Sequence, residues 1–301
     1  MTMGWMGYVL ASALFLALYD LAKKASVRDN AVLPVLLIAS VAGCIAYGTV
    51  VFVLGDGTAA LHPDSRTFGL TWVKTLIVSS SWVLTYCALR TLPISIATPI
   101  RASSPAWVFL AALFLYGERP TLWQAVGMLS VFAGYFAFSW AGRHEGIDFF
   151  RNRAVYLAMG GMLLSAVSGL WDKYLLQVAR LPKETMQFWF QLDLALIYAV
   201  YLAGSRLLAR GRGVSTLGSR FQWRWTIPFV GILLAAADWL WFAGLAVPDA
   251  PVSIASLMRR VSVVLTFFLG AKCFHETNLR RKSVALAAVL FGVALLTLSG
   301  K

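Results

Sequence analysis

Charge is scarce in this chain of 301 residues: only 13% are Asp, Glu, Lys or Arg, against roughly 25% in soluble domains. With 59% hydrophobic residues and a mean hydropathy of +0.74, a water-soluble fold would lack the polar surface to cover itself. Cysteine is nearly absent too. Cys44, Cys87 and Cys273 fall inside apolar runs with no paired spacing, which excludes a disulfide framework or a zinc site. His62, His144 and His275 lie scattered near the ends of those runs, so no metal cluster and no cofactor is expected. Acidic residues number 13 against 26 basic ones. A surplus of this sign would suit nucleic acid, but the basic residues occupy short loops between apolar runs. There they set orientation and meet anionic lipid headgroups. Nothing ionisable precedes Asp20 except the N-terminus, so the first run reads as a permanent helix rather than a secretory leader.

What is present is a series of runs long enough to cross a bilayer, which takes roughly 20 apolar residues each. About ten emerge: 5–22, 32–54, 76–89, 94–116 and 123–140, then 154–178, 186–203, 226–246, 252–274 and 284–298. The third is short and has room to begin near Thr71. The longest break, 141–153, holds Arg143, His144, Glu145, Asp148, Arg151 and Arg153. The expected organisation is therefore a first unit over 1–142, a connecting loop over 143–153 and a second unit over 154–301.

The two units are related. Pro93-Ile94-Ser95-Ile96-Ala97-Thr98-Pro99-Ile100-Arg101 returns as Pro251-Val252-Ser253-Ile254-Ala255-Ser256-Leu257-Met258-Arg259. The offset of 158 also superimposes Glu118 on Glu276, Val131 on Val289 and Gly134 on Gly292 without a gap. Since each unit has an odd number of crossings, the second must enter from the opposite face. The fold expected is an all-α integral membrane protein of two inverted five-helix repeats, a design that gives transporters two near-equivalent states.

The arrangement resembles the EamA-type branch of the drug/metabolite transporter superfamily. In that family the fourth helix of each half ends in a short Gly-Glu-Arg-like turn, matched here by Gly117-Glu118-Arg119-Pro120 and, with only the Glu kept, by His275-Glu276-Thr277-Asn278. The resemblance spans 7–299. It implies ten helices, transport of a small solute and termini in the cytoplasm. The loops argue for the other orientation: fifteen Lys and Arg follow odd-numbered spans and seven follow even-numbered ones, which places both termini outside.

Ionisable groups inside the spans carry the functional reading, because each costs roughly 2.5–3.5 kcal/mol to insert. Tyr19-Asp20 ends the first span and Trp171-Asp172 ends the sixth, while Arg101 and Arg259 lie about equally deep in the fourth and ninth. Asp20 with Arg101, and Asp172 with Arg259, are the expected pairs, towards opposite leaflets. Each is either a permanent helix-locking bridge or a site that yields its Arg to an anionic or zwitterionic solute. Arg260 has no counterpart in the first unit, where Ala102 stands; Asp238 is its expected partner, with Asp193 and Gln191 as further candidates. Trp82 and Trp239 hold similar places in the third and eighth spans, where an indole can line a cavity. Pro99 and Pro105 are expected to bend the fourth span, and Gly127, Gly134 and Gly160-Gly161 to permit close helix contact.

The function expected is alternating-access transport of a small organic metabolite or amphipathic solute. A lipid flippase of the same fold and an intramembrane enzyme are the alternatives, the latter disfavoured because no nucleophile, dyad or metal set is found. The expected setting is the cytoplasmic membrane of a bacterium, as a monomer or homodimer, in contact with lipid and a small-molecule substrate and with no nucleic acid.

Overall fold

The structure is a computed structural model that describes residues 4–54, 63–104, 107, 121–143, 151–175, 179–212, 220–245, 258–259, 261–275 and 279–298. Within them the chain is helical: α1 Trp5–Val27, α2 Val32–Leu54, α3 Ser65–Thr91, α4 Ile94–Ala102, α5 Leu122–Arg143, α6 Arg153–Lys173, α7 Lys183–Arg212, α8 Thr226–Leu245, α9 Val261–Cys273 and α10 Leu279–Leu298. Four of these, Trp5–Val27, Val32–Val53, Ser65–Thr91 and Thr185–Leu207, are long and apolar enough to cross a membrane, and four more are shorter apolar helices. The chain is an integral membrane protein.

Most helices follow the apolar runs, and α3 departs furthest from its run. It begins eleven residues before position 76, where Asp64 caps it by accepting a hydrogen bond from the Thr67 amide at 3.2 Å. That bond satisfies an otherwise orphaned helix donor and holds the Asp64 carboxyl below its usual range. Lys74 does not interrupt the helix, because it is buried with its ammonium 4.6 Å from the centre of the Phe190 ring. α1 likewise runs past Ala22. Lys24 is buried at its end and donates to the carbonyls of Leu89 (2.5 Å) and Leu92 (2.7 Å), the place where helix carbonyls want a cation. α4 is described as far as Ala102 and includes Pro99; Pro105 lies outside the described residues, as do Glu118, Glu276 and most of the two turns that carry the family resemblance.

In a bilayer the apolar faces cannot all be core, and small or polar residues mark the contacts instead. On α1 the outward stripe is Met6, Leu10, Leu14 and Leu18, all exposed, while Ser12 points inward and donates to the Ala237 carbonyl of α8 at 2.7 Å. Gly134 of α5 faces Val289 and the Ala285 carbonyl of α10, and Gly292 of α10 faces Val131 and the Gly127 carbonyl of α5. Contacts advance along one helix as they retreat along the other, so α5 and α10 run antiparallel. A Cβ at either glycine would press into the partner helix.

The packing scheme has a regularity. α1 packs on α8 and α3 on α6; α2 packs on both α7 and α8, and α3 on α7; α4 meets α9, and α5 meets α10. Two apolar clusters result. One gathers Ile96, Ile100, Met162, Phe267 and Val289; the other gathers Tyr19, Leu36, Val78, Phe190, Tyr198 and Val230. Members of both, Met162 of the first and Tyr19 of the second among them, line a cavity that also holds charged side chains.

Candidate functional site

The cavity has a volume of about 250 Å³. It is lined by the first, third and fourth helices of the first half (Tyr19, Asp20 and Lys23 of α1; Ser81, Trp82, Thr85 and Tyr86 of α3; Ala97 and Arg101 of α4) and by the corresponding part of the second (Ala158, Gly161 and Ser165 of α6; Leu234 and Asp238 of α8; Arg259 just before α9).

One pole of this cavity is built on Asp20. Its side chain is buried, 2% exposed, and shared between two cations: Oδ1 accepts from Lys23 Nζ at 2.9 Å and Oδ2 is paired with Arg101 Nη2. Thr266 of α9 donates to the same Oδ2 at 3.5 Å. Lys23 also lies over the Tyr19 ring at 4.4 Å and near the Tyr86 ring at 5.8 Å. Arg101 reaches Asp20 from the cavity side, where its side chain remains 31% exposed. The pole thus holds two cations against one carboxylate, with Arg101 facing open space.

The second pole is Arg259, whose Nη2 donates to Asp238 Oδ1 at 2.7 Å while its guanidinium lies 4.8 Å from the Trp241 ring. Both side chains are about a fifth exposed, at 21% and 22%. Arg259 Nε is buried and has no hydrogen-bond partner among the described residues. Because Ser12 is level with Ala237, Asp238 stands some eight residues along α1 from Asp20, a separation of roughly 12 Å along the helix axis.

The expected residues are therefore divided by the structure. Asp20, Arg101, Asp238, Arg259, Tyr19 and Trp82 line the cavity, and the pairing of Asp20 with Arg101 is present. Arg259 meets Asp238 of α8, so the observed ion pairs join the first and fourth helices in one half and the third helix with the residue preceding the fourth in the other. Of the expected pairs of Asp172 with Arg259 and of Asp238 with Arg260, the Asp172 side chain and Arg260 lie outside the described residues. Trp171 is displaced from the cavity: its indole donates to the Leu70 carbonyl at 3.2 Å and stacks on Tyr174 at 5.2 Å. Trp239 is 40% exposed on the outer surface of α8, so its likeness to Trp82 ends at its position in the span.

Lys23 and Thr266 are site residues that sequence reasoning passed over. Lys23 reads as the first residue of a basic loop, yet it is 4% exposed; its spacing of three from Asp20, which puts both on one helix face, was the available signal. Thr266 carries no signal beyond lying in an apolar run. No group of three or more His, Cys, Asp or Glu that would hold a metal occurs among the described residues.

Comparison with known proteins gives the chain its family context. Residues 3–140 match the model of the EamA-like transporter family. No functionally curated protein matches the chain. A protein known from a crystal structure superposes over 98% of this chain and 97% of its own with a TM-score of 0.62 at 18% identity, a likeness of fold alone that takes in both halves.

Proposed function

We propose, from the match of residues 3–140 to the EamA-like transporter family, that the whole chain moves a small organic solute bearing an acidic group by alternating access. The observation that carries this is the placement of Arg101 and Arg259 on one cavity, each held by an Asp and each keeping access to the open space between them. A carboxylate or phosphate competes with Asp20 for Arg101 and with Asp238 for Arg259. A guanidinium matches such groups in bidentate fashion, and a cavity of about 250 Å³ suits a small metabolite rather than an acyl chain.

Inverted repeats supply the motion in this reading. Exchanging α1–α5 for α6–α10 maps the observed packing pairs onto one another: α1 with α8 onto α6 with α3, and α5 with α10 onto itself. At that last contact Ser130 donates to the Ala288 carbonyl at 2.8 Å, two positions separated by the repeat offset itself, and the helices run antiparallel. This supports a two-fold axis in the membrane plane, the relation that gives inward- and outward-open states similar energies. The two poles, roughly 12 Å apart along the helix axis, then serve opposite faces.

Orientation follows from the loops. Of the basic residues counted there, Lys23, Lys24, Lys74 and Lys282 are buried, and setting them aside leaves twelve against six, the same bias. We place both termini outside, in the cytoplasmic membrane of a bacterium. The test of the functional reading is a thermal-shift screen of purified protein against metabolite anions, amino acids and cationic drugs, since a ligand bound only by the native state raises its apparent stability. Stabilisation by anions, lost in Arg259→Ala, supports the proposal; stabilisation by cations alone rejects it.

A further inference from the structure

α7 carries a carboxylate that the cavity does not use. Asp193 is fully buried, 0% exposed, and neither of its oxygens has a hydrogen-bond partner among the described residues. Its surroundings follow from the register of α7 on α3: Phe68 packs edge-on against Trp189 at 5.5 Å, Lys74 lies over Phe190, and Tyr198 donates to the Ser79 carbonyl at 3.3 Å. The helices run parallel, and Asp193, between Phe190 and Tyr198, is level with the 74–82 stretch of α3. From α3 the charged group at this level is Lys74; on α7 the nearest titratable group is Tyr198, already bonded to Ser79. α2, the other helix against α7, has no Asp, Glu, Lys or Arg, and its titratable groups are Cys44 and Tyr47.

With Lys74 at the same level but no hydrogen bond to either oxygen, an ionised Asp193 is costly inside the closed interface, whereas the neutral acid is better tolerated there. We propose that Asp193 is a proton-binding site that controls the α3–α7 interface, an inference that rests on the transporter reading and names its coupling ion. The step is the movement of one proton between water and a carboxylate oxygen; no other bond changes. With the O–H formed the interface closes dry. With the proton released, the interface must admit water, and the two helices separate at this level.

Two features make this interface the one suited to move. Phe190, one turn before Asp193, packs edge-on against Trp82 at 6.5 Å, and Trp82 lines the cavity, so a shift of α7 reaches the solute site through two rings. The contact of α2 with α8 occupies the matching position in the other pairing of halves. There Gly231 lies so close to the Ala39 carbonyl that no Cβ fits, and α2 brings no charge. One interface is sealed by backbone contact; the other contains a titratable acid.

The test needs no solute. Full-length protein in lipid nanodiscs is titrated with pH while infrared spectroscopy follows the carbonyl stretch of protonated carboxylic acids and hydrogen exchange follows α3 and α7, corrected for the intrinsic pH dependence of exchange. Wild type is expected to lose a carbonyl band as pH rises, with faster exchange in α3 and α7. Asp193→Asn is expected to lack that band and to keep slow exchange throughout. A band unchanged in Asp193→Asn, or an equal rise in exchange in the variant, overturns the proposal; if the variant does not fold, pH-independent exchange of α3 and α7 in wild type overturns it as well. Failure of the transporter reading would appear elsewhere, as absence of ligand stabilisation and uptake, with these two signals intact.

Discussion

Asp20 and Arg101 form one ion pair, yet removing either partner should have unequal consequences, and the inequality follows from the third member of the cluster. Among the described residues, Asp20→Asn takes the one anionic partner at this pole from two cations, Lys23 at 4% exposure and Arg101, both held by the same carboxylate. Leaving buried charge uncompensated costs about 3–5 kcal/mol. Arg101→Met is different. Asp20 keeps Lys23 at 2.9 Å and Thr266 at 3.5 Å, so the loss is that of one charge-assisted hydrogen bond, about 1.5–3 kcal/mol, partly offset by the apolar Met. Reversible unfolding of purified protein in mixed micelles measures both. Asp20→Asn should be the more destabilised, and the double variant should recover part of the difference, since it leaves only Lys23 unpaired. Equal losses, or a larger loss for Arg101→Met, would refute the claim that Asp20 is shared.

Four further outcomes follow from the same geometry. Arg259→Ala should still fold, because the Asp238 it leaves behind is about a fifth exposed to the cavity and the loss is that of one charge-assisted hydrogen bond, about 1.5–3 kcal/mol, but it should lose anion-dependent stabilisation in the thermal-shift assay. Gly134→Leu should weaken the α5–α10 contact by about 1–3 kcal/mol, seen as a lowered melting temperature, since the new side chain meets Val289 and the Ala285 carbonyl. Trp82→Ala should reduce ligand stabilisation while Trp239→Ala leaves it unchanged, the reverse result placing the cavity on the wrong face of α8. A cysteine introduced between Arg206 and Arg224 should react with impermeant reagent from the cytoplasmic face; labelling from outside would invert the assigned topology.

The helices were legible in the sequence because a bilayer demands apolar length, and that demand shows in composition without any knowledge of contacts. α2 and α8 match their apolar runs to within a residue. α3 does not, because Lys74 reads as a loop residue in a one-dimensional count and becomes a buried one only when Phe190 of α7 folds over it. Lys23 was missed for the same reason. The Asp20–Arg101 pair was legible, since both residues lie on helices of the same half, towards the same face, and each has few possible partners. The contact of Arg259 with Asp238 was not, because it depends on how α8 is rotated, which a helix apolar on every side does not reveal. Trp171 and Trp239 fail on rotation too, as indoles suit a cavity, a helix contact and the lipid boundary equally well.

The central claim is that one cavity between the halves opens in turn to the two faces of the membrane. Ser165 of α6 lines that cavity, and Ser165→Cys, made with Cys44, Cys87 and Cys273 replaced by Ser or Ala, reports on it in proteoliposomes of known orientation. Impermeant thiol reagent applied from either face should label it, and an anion found in the screen should protect it. Labelling from one face alone under every condition, or none from either, would contradict the account.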